Sequence, residues 1–357
     1  MDFIRITKRD NLSRKKEILI TLLAIVLSIV FAGIILLIFG LNPFEIFKEI
    51  IMGSVGTGLR VKQTIVKAVP LIITSMGIIV AFKMKFWNIG AEGQITMGAL
   101  GASWVALNLS PNLPQPVMLL LMMIGAAVCG GIWAFIPATF KAKLGTNETI
   151  FTLMMNYVAI KFVTYLQYGP WMDPAANGFP KIAMFPDNAV LPKLGGVNIG
   201  WILAILAAAF VYFFMNYTKK GYEITVVGES IETARYAGMN ISRIIVVAML
   251  ISGGLCGITG MIQASAIEKT LVYGIANGYG FTAIITAWLS KLNAGYAVAV
   301  CAVFAMLIQG GQYIQIALGV PSAVSDIVQG LILFFVLGSE FFMRYRVHIG
   351  RNSKEVA

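Results

Sequence analysis

The sequence predicts an all-α integral membrane protein with ten transmembrane helices. Three observations carry this: an apolar composition, long runs without charge, and a lopsided placement of lysine and arginine. Of 357 residues, 58% are hydrophobic and only 12% are charged, with a mean hydropathy of +0.83. Too few charged side chains remain to coat a soluble globule of this length, so most of the chain must be solvated by lipid. The net charge of +11 does not indicate nucleic acid, because the basic residues sit in short gaps between apolar runs, where they control orientation.

The first run, residues 18–41, is 24 residues without a charge. As a helix it is roughly 36 Å long, enough to cross a hydrocarbon layer of about 30 Å with some tilt. It follows a basic tail, residues 1–17, and lacks both the short apolar core and the small-residue exit of a cleaved signal, so it reads as a retained anchor. Further runs follow at 65–82, 86–109, 116–140, 148–168, 199–217, 244–267, 270–290, 294–313 and 321–343, making residues 18–343 the membrane domain and 344–357 a second basic tail. With ten crossings, 19 Lys and Arg fall on the face holding both tails and 7 on the other. That asymmetry places both termini in the cytoplasm.

The three cysteines, Cys129, Cys256 and Cys301, lie in apolar runs and read as small hydrophobes rather than a disulfide framework. His348 stands alone in the C-terminal tail, so no metal site is expected. Without a P-loop pattern or an intramembrane histidine, the chain carries neither a nucleotide cradle nor a general base of the usual kind, and it reads as a non-enzyme. Any ATP and magnesium would be bound by a partner.

Two runs are interrupted. Residues 86–94 read FWNIGAEGQ, which places Asn88, Glu92 and Gln94 at the start of the third span, and residues 274–281 read GIANGYGF, which places Asn277 and Phe281 in the eighth. Backbone freed by glycine is tolerated at membrane depth only where protein or a water-filled cavity supplies its missing partners. Such breaks mark a translocation path, and two of opposite direction five spans apart suggest an inverted repeat. The alternative is that the glycines serve close helix packing, as Gly253 and Gly257 are expected to do in the seventh span. Asn156 and Tyr157, in mid-span, are candidate cavity residues, with interhelical hydrogen bonding as the other reading. Glu148, after Lys141 and Lys143, reads as a cap or ion-pair partner. With one deep carboxylate among amides, hydroxyls and aromatics, the interior suits a neutral, polar, ring-shaped solute.

Residues 43–63 are amphipathic and read equally as an interfacial helix or a solvated loop. On the cytoplasmic face the connection at 218–243 is the one long enough to dock a partner. Within it, residues 230–236 make two helical turns, with Ser230 as N-cap, Glu232 in the first turn and Gly238 as the stop.

These stretches, with residues 141–157 (KAKLGTNETIFTLMMNY), 221–260 and 278–289, resemble the permease subunits of ATP-binding-cassette importers for branched-chain amino acids, ribose and simple sugars. The NIGAEGQ version is similar to the nucleoside importer branch. The resemblance implies a type II importer permease fold and a pair of permease chains, this one beside a second, non-identical one. It also implies a cytoplasmic ATPase and an external, lipoprotein-type binding protein that delivers the nucleoside. It makes residues 228–238 the coupling helix, with Glu229, Ala234, Arg235 and Gly238 matching the motif beside Gly228, Glu232 and Tyr236, and it sets Asn88, Glu92 and Gln94 on the path. Thr286 and Trp288 depart from the aliphatic residues many relatives carry there. A simple-sugar importer permease is the first alternative, and a proton-coupled transporter using Glu92 is the second.

Overall fold

The computed structural model describes residues 4–8, 14–109, 112–321 and 323–349. The chain forms two compact units, one built from the segments up to Arg60 and from Met306 onward, the other from Val61–Ala305.

In the first unit, α1 (Arg14–Ile38) turns sharply into α2 (Pro43–Val55), at 116°. Gly40 takes a positive φ of 73°. Asn42 then starts α2 by accepting the Phe44 N–H at 3.1 Å, and Pro43 sits at the first helical position, where its missing N–H is no loss. The amphipathic stretch at 43–63 is therefore helical, and its buried side (Ile46, Ile50) joins Leu36, Ile314, Val320 and Val324 in one apolar cluster. Arg60 closes the end of α2 by donating to the Met52 carbonyl at 2.9 Å and to the Tyr313 hydroxyl at 2.9 Å, while its guanidinium lies 4.1 Å from the Tyr313 ring centre. The helix α13 (Ala323–Arg344) packs along α1. The strands β1 (Ile4–Lys8) and β4 (Tyr345–Ile349) pair antiparallel, Arg5 opposite His348. The described ends of the two tails are therefore held side by side. The remainder of each tail is outside the described residues.

The second unit holds α3 (Gly58–Lys83, from Val61), α4 (Ala91–Asn108), α5 (Gln115–Leu144), α6 (Glu148–Tyr168) and α7 (Gly200–Tyr217). It continues with α8 (Lys219–Glu229), α9 (Ile231–Tyr236), α10 (Ile241–Ile262), α11 (Tyr279–Leu289) and the first half of α12 (Ala294–Leu318). At its centre α4, α5 and α10 approach almost backbone to backbone. A Cβ on Gly257 would overlap the Ala126 carbonyl, one on Gly253 would overlap Ala134 and the Gly130 carbonyl, and one on Gly98 would overlap Gly257 itself. Lipid provides no hydrophobic force between helices, so this dense contact is what holds them together. The packing role expected of Gly253 and Gly257 is therefore observed. The long connection at 169–198 ends in a small hairpin, β2 (Lys193–Leu194) with β3 (Val197–Asn198).

Each of the ten apolar runs contains a helix. Among the described residues, six helices are long and apolar enough to cross a membrane by themselves, or seven counting the α1–α2 pair as one. The fold is thus a mostly helical membrane protein. The third and eighth runs produce helices shorter than the runs, because α4 begins only at Ala91 and α11 only at Tyr279. The connection at 218–243 is more helical than its sequence suggests: Thr218 caps α8 by accepting the Gly221 N–H at 3.1 Å, so α8 fills the stretch before α9.

Candidate functional site

The first break, between α3 and α4, is non-helical from Phe86 to Ile89, and buried side chains take up its backbone groups. The Asn88 carboxamide oxygen accepts the Gly90 N–H at 3.1 Å and the Gln94 amide at 3.0 Å, while its nitrogen donates to Gln94 Oε1 and to Ser252 Oγ of α10, both at 3.1 Å. From α6, one turn apart, Thr152 Oγ1 accepts the Ile89 N–H at 3.2 Å and Asn156 bridges two backbone groups. Asn156 donates to the Ile89 carbonyl at 2.9 Å and accepts the Gly93 N–H at 2.8 Å. A water-free interior demands such an exchange, since each unpaired buried backbone group costs about 1–3 kcal/mol.

The second break is held by Glu92. Asn277 and Gly278 adopt left-handed backbone, with φ of 47° and 76°, so α11 begins without a side-chain cap of its own. Glu92 caps it from another helix: Oε1 accepts the Gly278 N–H at 2.7 Å and Oε2 the Gly280 N–H at 2.8 Å. The carboxylate is only 6% exposed. It sits in the first turn of α4 and at the start of α11, two positive helix ends, which accounts for a buried acid held by backbone amides. Gly280 is necessary here, because a Cβ would collide with the backbone and carboxylate of Glu92. The two breaks are therefore one construction, with Glu92 as the tie between them.

The structure thus brings Asn88, Glu92, Gln94 and Asn156 together as buried supports of broken backbone. Tyr157, by contrast, is 58% exposed on the other side of α6 and joins none of these bonds. Phe281 is partly exposed on α11. Asn277 lines a cavity of about 290 Å³ with Gln63, Lys67, Gln263, Glu268 and Tyr279, residues the sequence reading did not single out. The signal that could have found them is weak: Lys67 is a cation just inside an apolar run, and Gln263–Glu268 is a single π-helical turn extending α10, a local deviation that often marks function.

The two departures in α11 have partners. Thr286 Oγ1 and Ser75 Oγ of α3 are hydrogen-bonded to each other, and Ser75 also contacts Cys301 Sγ at 3.3 Å. Trp288 stacks on Trp87 of the first break at 5.3 Å between ring centres, with Phe82 closing the cluster at 5.4 and 5.9 Å. Thr286 and Trp288 thus tie α11 laterally to α3 and to the first break.

At the lysine-rich end of this unit Ser230 Oγ accepts the Thr233 N–H at 3.1 Å and starts α9, and Gly238 follows it with φ 72°. Ala234 is buried, whereas Glu229, Glu232 and Arg235 are exposed and Tyr236 is 96% exposed. Gly228 lies so close to the Lys83 carbonyl that a Cβ would overlap it, which seats the end of α8 against the C-terminal end of α3, just before the break. Glu148 is paired with Lys141 at 2.8 Å. Both line a cavity of about 320 Å³ with Gly228, Glu232 and Phe86.

Comparison with known proteins agrees with this architecture. The chain is 34% identical to the glucose ABC transporter permease protein TsgB13 of Haloferax volcanii, over 92% of this chain and 89% of that one. It is 32% identical to the guanosine permease NupP of Bacillus subtilis, over 91% and 94%, and 29% identical to the nucleoside permease NupB of Lactococcus lactis, over 91% and 92%. The family described as the branched-chain amino acid transport system / permease component matches residues 60–337, from the start of α3 into α13. The protein belongs to that family of ABC transporter permeases.

Proposed function

We propose that this chain is one permease of a bacterial ATP-binding-cassette importer that moves a nucleoside by alternating access. The observation that carries the reading is α9, an exposed, capped helix that directly follows α8, whose Gly228 sits against the end of α3 just before a break that is tied in turn to a second break by Glu92. An ATPase carrying ATP and magnesium would push on Glu229, Glu232, Arg235 and Tyr236, and the load would reach the broken spans without passing through a flexible loop. An external binding protein would deliver the solute to the opposite face, and a second, non-identical permease would complete the path.

Ten crossings of the type II importer kind, with both tails cytoplasmic, are supported by the pairing of β1 with β4, which holds the described ends of the tails side by side, and by the basic asymmetry. A nucleoside is supported by the interior chemistry, in which amides and hydroxyls predominate and the deep carboxylate is occupied by backbone amides. The likeness to the guanosine and nucleoside permeases adds to it. A hexose importer is the second reading, favoured by the likeness to the glucose permease. Proton coupling through Glu92 fits poorly with a carboxylate whose two oxygens both hold α11 in place.

The test is uptake into membrane vesicles carrying the whole complex. Labelled nucleoside should accumulate when ATP and the ATPase chain are present, should persist with a protonophore, and should compete poorly with glucose. Accumulation that needs a proton gradient, or that glucose abolishes while unlabelled nucleoside does not, would refute it.

A further inference from the structure

The cavity beside the second break is lined by residues from three stretches of the second unit. The start of α3 contributes Gln63 and Lys67, the π turn after α10 contributes Gln263 and Glu268, and the segment before α11 contributes Tyr273, Asn277 and Tyr279. At about 290 Å³ it stands at the small end of ligand sites, which run from about 300 Å³ upward, so it suits one small solute and excludes a peptide or oligosaccharide. Its chemistry is amide and phenol. Gln263 and Tyr279 are 6% and 3% exposed, and their side chains are hydrogen-bonded to each other. The lining holds one basic and one acidic side chain, Lys67 and Glu268, whose opposite formal charges leave no net charge to favour an ionic solute.

We infer that this cavity is a station on the transport path that binds a neutral nucleoside, with the carboxamides of Gln63, Gln263 and Asn277 reading the base beside Tyr279. The inference rests on the function proposed above and names its site. Carboxamides present a donor and an acceptor in one plane, the pattern that pairs in bidentate fashion with a base edge, and a phenol ring offers that base a stacking face. A hexose has hydroxyls but no flat edge for such pairing. The cavity is also placed to respond to the transport cycle. Asn277 and Tyr279 flank Gly278, whose N–H is held by Glu92, so any shift of the tie between the breaks moves the cavity wall.

The experiment uses vesicles carrying the complete importer. Asn277→Cys, and separately Gln63→Cys in case the left-handed backbone at 277 resists substitution, is labelled with a maleimide, with labelling of the unaltered chain subtracted. Guanosine or adenosine should slow labelling by at least about threefold, and glucose should not. In parallel Gln263→Leu should lower nucleoside uptake about three- to tenfold, the size of one lost hydrogen bond. Labelling that nucleoside leaves unchanged in vesicles that still import nucleoside overturns the cavity while leaving the proposed function standing, as does uptake by Gln263→Leu equal to that of the unaltered chain. Protection by glucose instead overturns the nucleoside assignment. Vesicles that import no nucleoside overturn the proposed function itself, and the inference with it.

Discussion

Replacing Glu92 by glutamine leaves the shape of the side chain nearly unchanged and removes its charge and one of its acceptors. The two bonds at 2.7 and 2.8 Å hold the N–H groups of Gly278 and Gly280, and a hydrogen bond to a charged group contributes about 1.5–3 kcal/mol net. A glutamine can accept one of these protons, while its NH₂ faces the other and leaves that N–H buried without an acceptor. The tie between α4 and α11 should weaken by about 2–4 kcal/mol, and at 1.4 kcal/mol per tenfold the opening of the loop should rise roughly 30- to 700-fold. Hydrogen exchange of the purified complex reads this directly, since amides released by local opening exchange in proportion to that opening. Gly278 and Gly280 should lose protection by about that factor in Glu92→Gln, and Glu92→Asp, which keeps the charge on a shorter stem, should fall between. Protection at those amides unchanged in both variants would refute the capping role and make Glu92 available for other duties.

Three further perturbations test α9, the seat of α8 and the support of the first break. Arg235→Glu inverts an exposed charge on α9 and should abolish solute-stimulated ATP hydrolysis by the complex without altering membrane insertion; normal coupling would remove α9 from the docking surface. Gly228→Val places a side chain where the Lys83 carbonyl lies, so it should push α8 off the end of α3 and reduce transport by at least about tenfold, with an ATPase that still turns over. Asn156→Ala leaves the Ile89 carbonyl and the Gly93 N–H without partners. It should destabilise the complex by about 2–5 kcal/mol, read as a lowered thermal midpoint in detergent, whereas Tyr157→Ala, on the exposed side of α6, should leave that midpoint nearly unchanged.

The features legible in the sequence were those written in local chemistry. Lipid forces long apolar runs, so the helices appear where hydropathy places them. Caps are short-range, and Ser230, Asn42 and Gly238 behave as their residue types dictate. Asn88, Glu92, Gln94 and Asn156 were visible because polar groups at membrane depth are costly enough to demand a reason. The form that reason takes was not visible. Glu92 and Gly280 are separated by 188 positions in the chain, and nothing in either motif says that the acid of one is the helix cap of the other.

Composition and pattern alone determined that this protein lives in a bilayer, where its apolar helices lie, and which two spans carry glycine interruptions, because burial in lipid leaves each segment to satisfy its own backbone. Only the tertiary structure decided that those polar residues support the breaks, that Thr286 and Trp288 meet Ser75 and Trp87, and that the open space lies by Gln263 and Tyr279. Each of these is a pairing between segments distant in sequence. Its free energy depends on distances of about 3 Å that close packing of α4, α5 and α10 brings about and no single segment encodes.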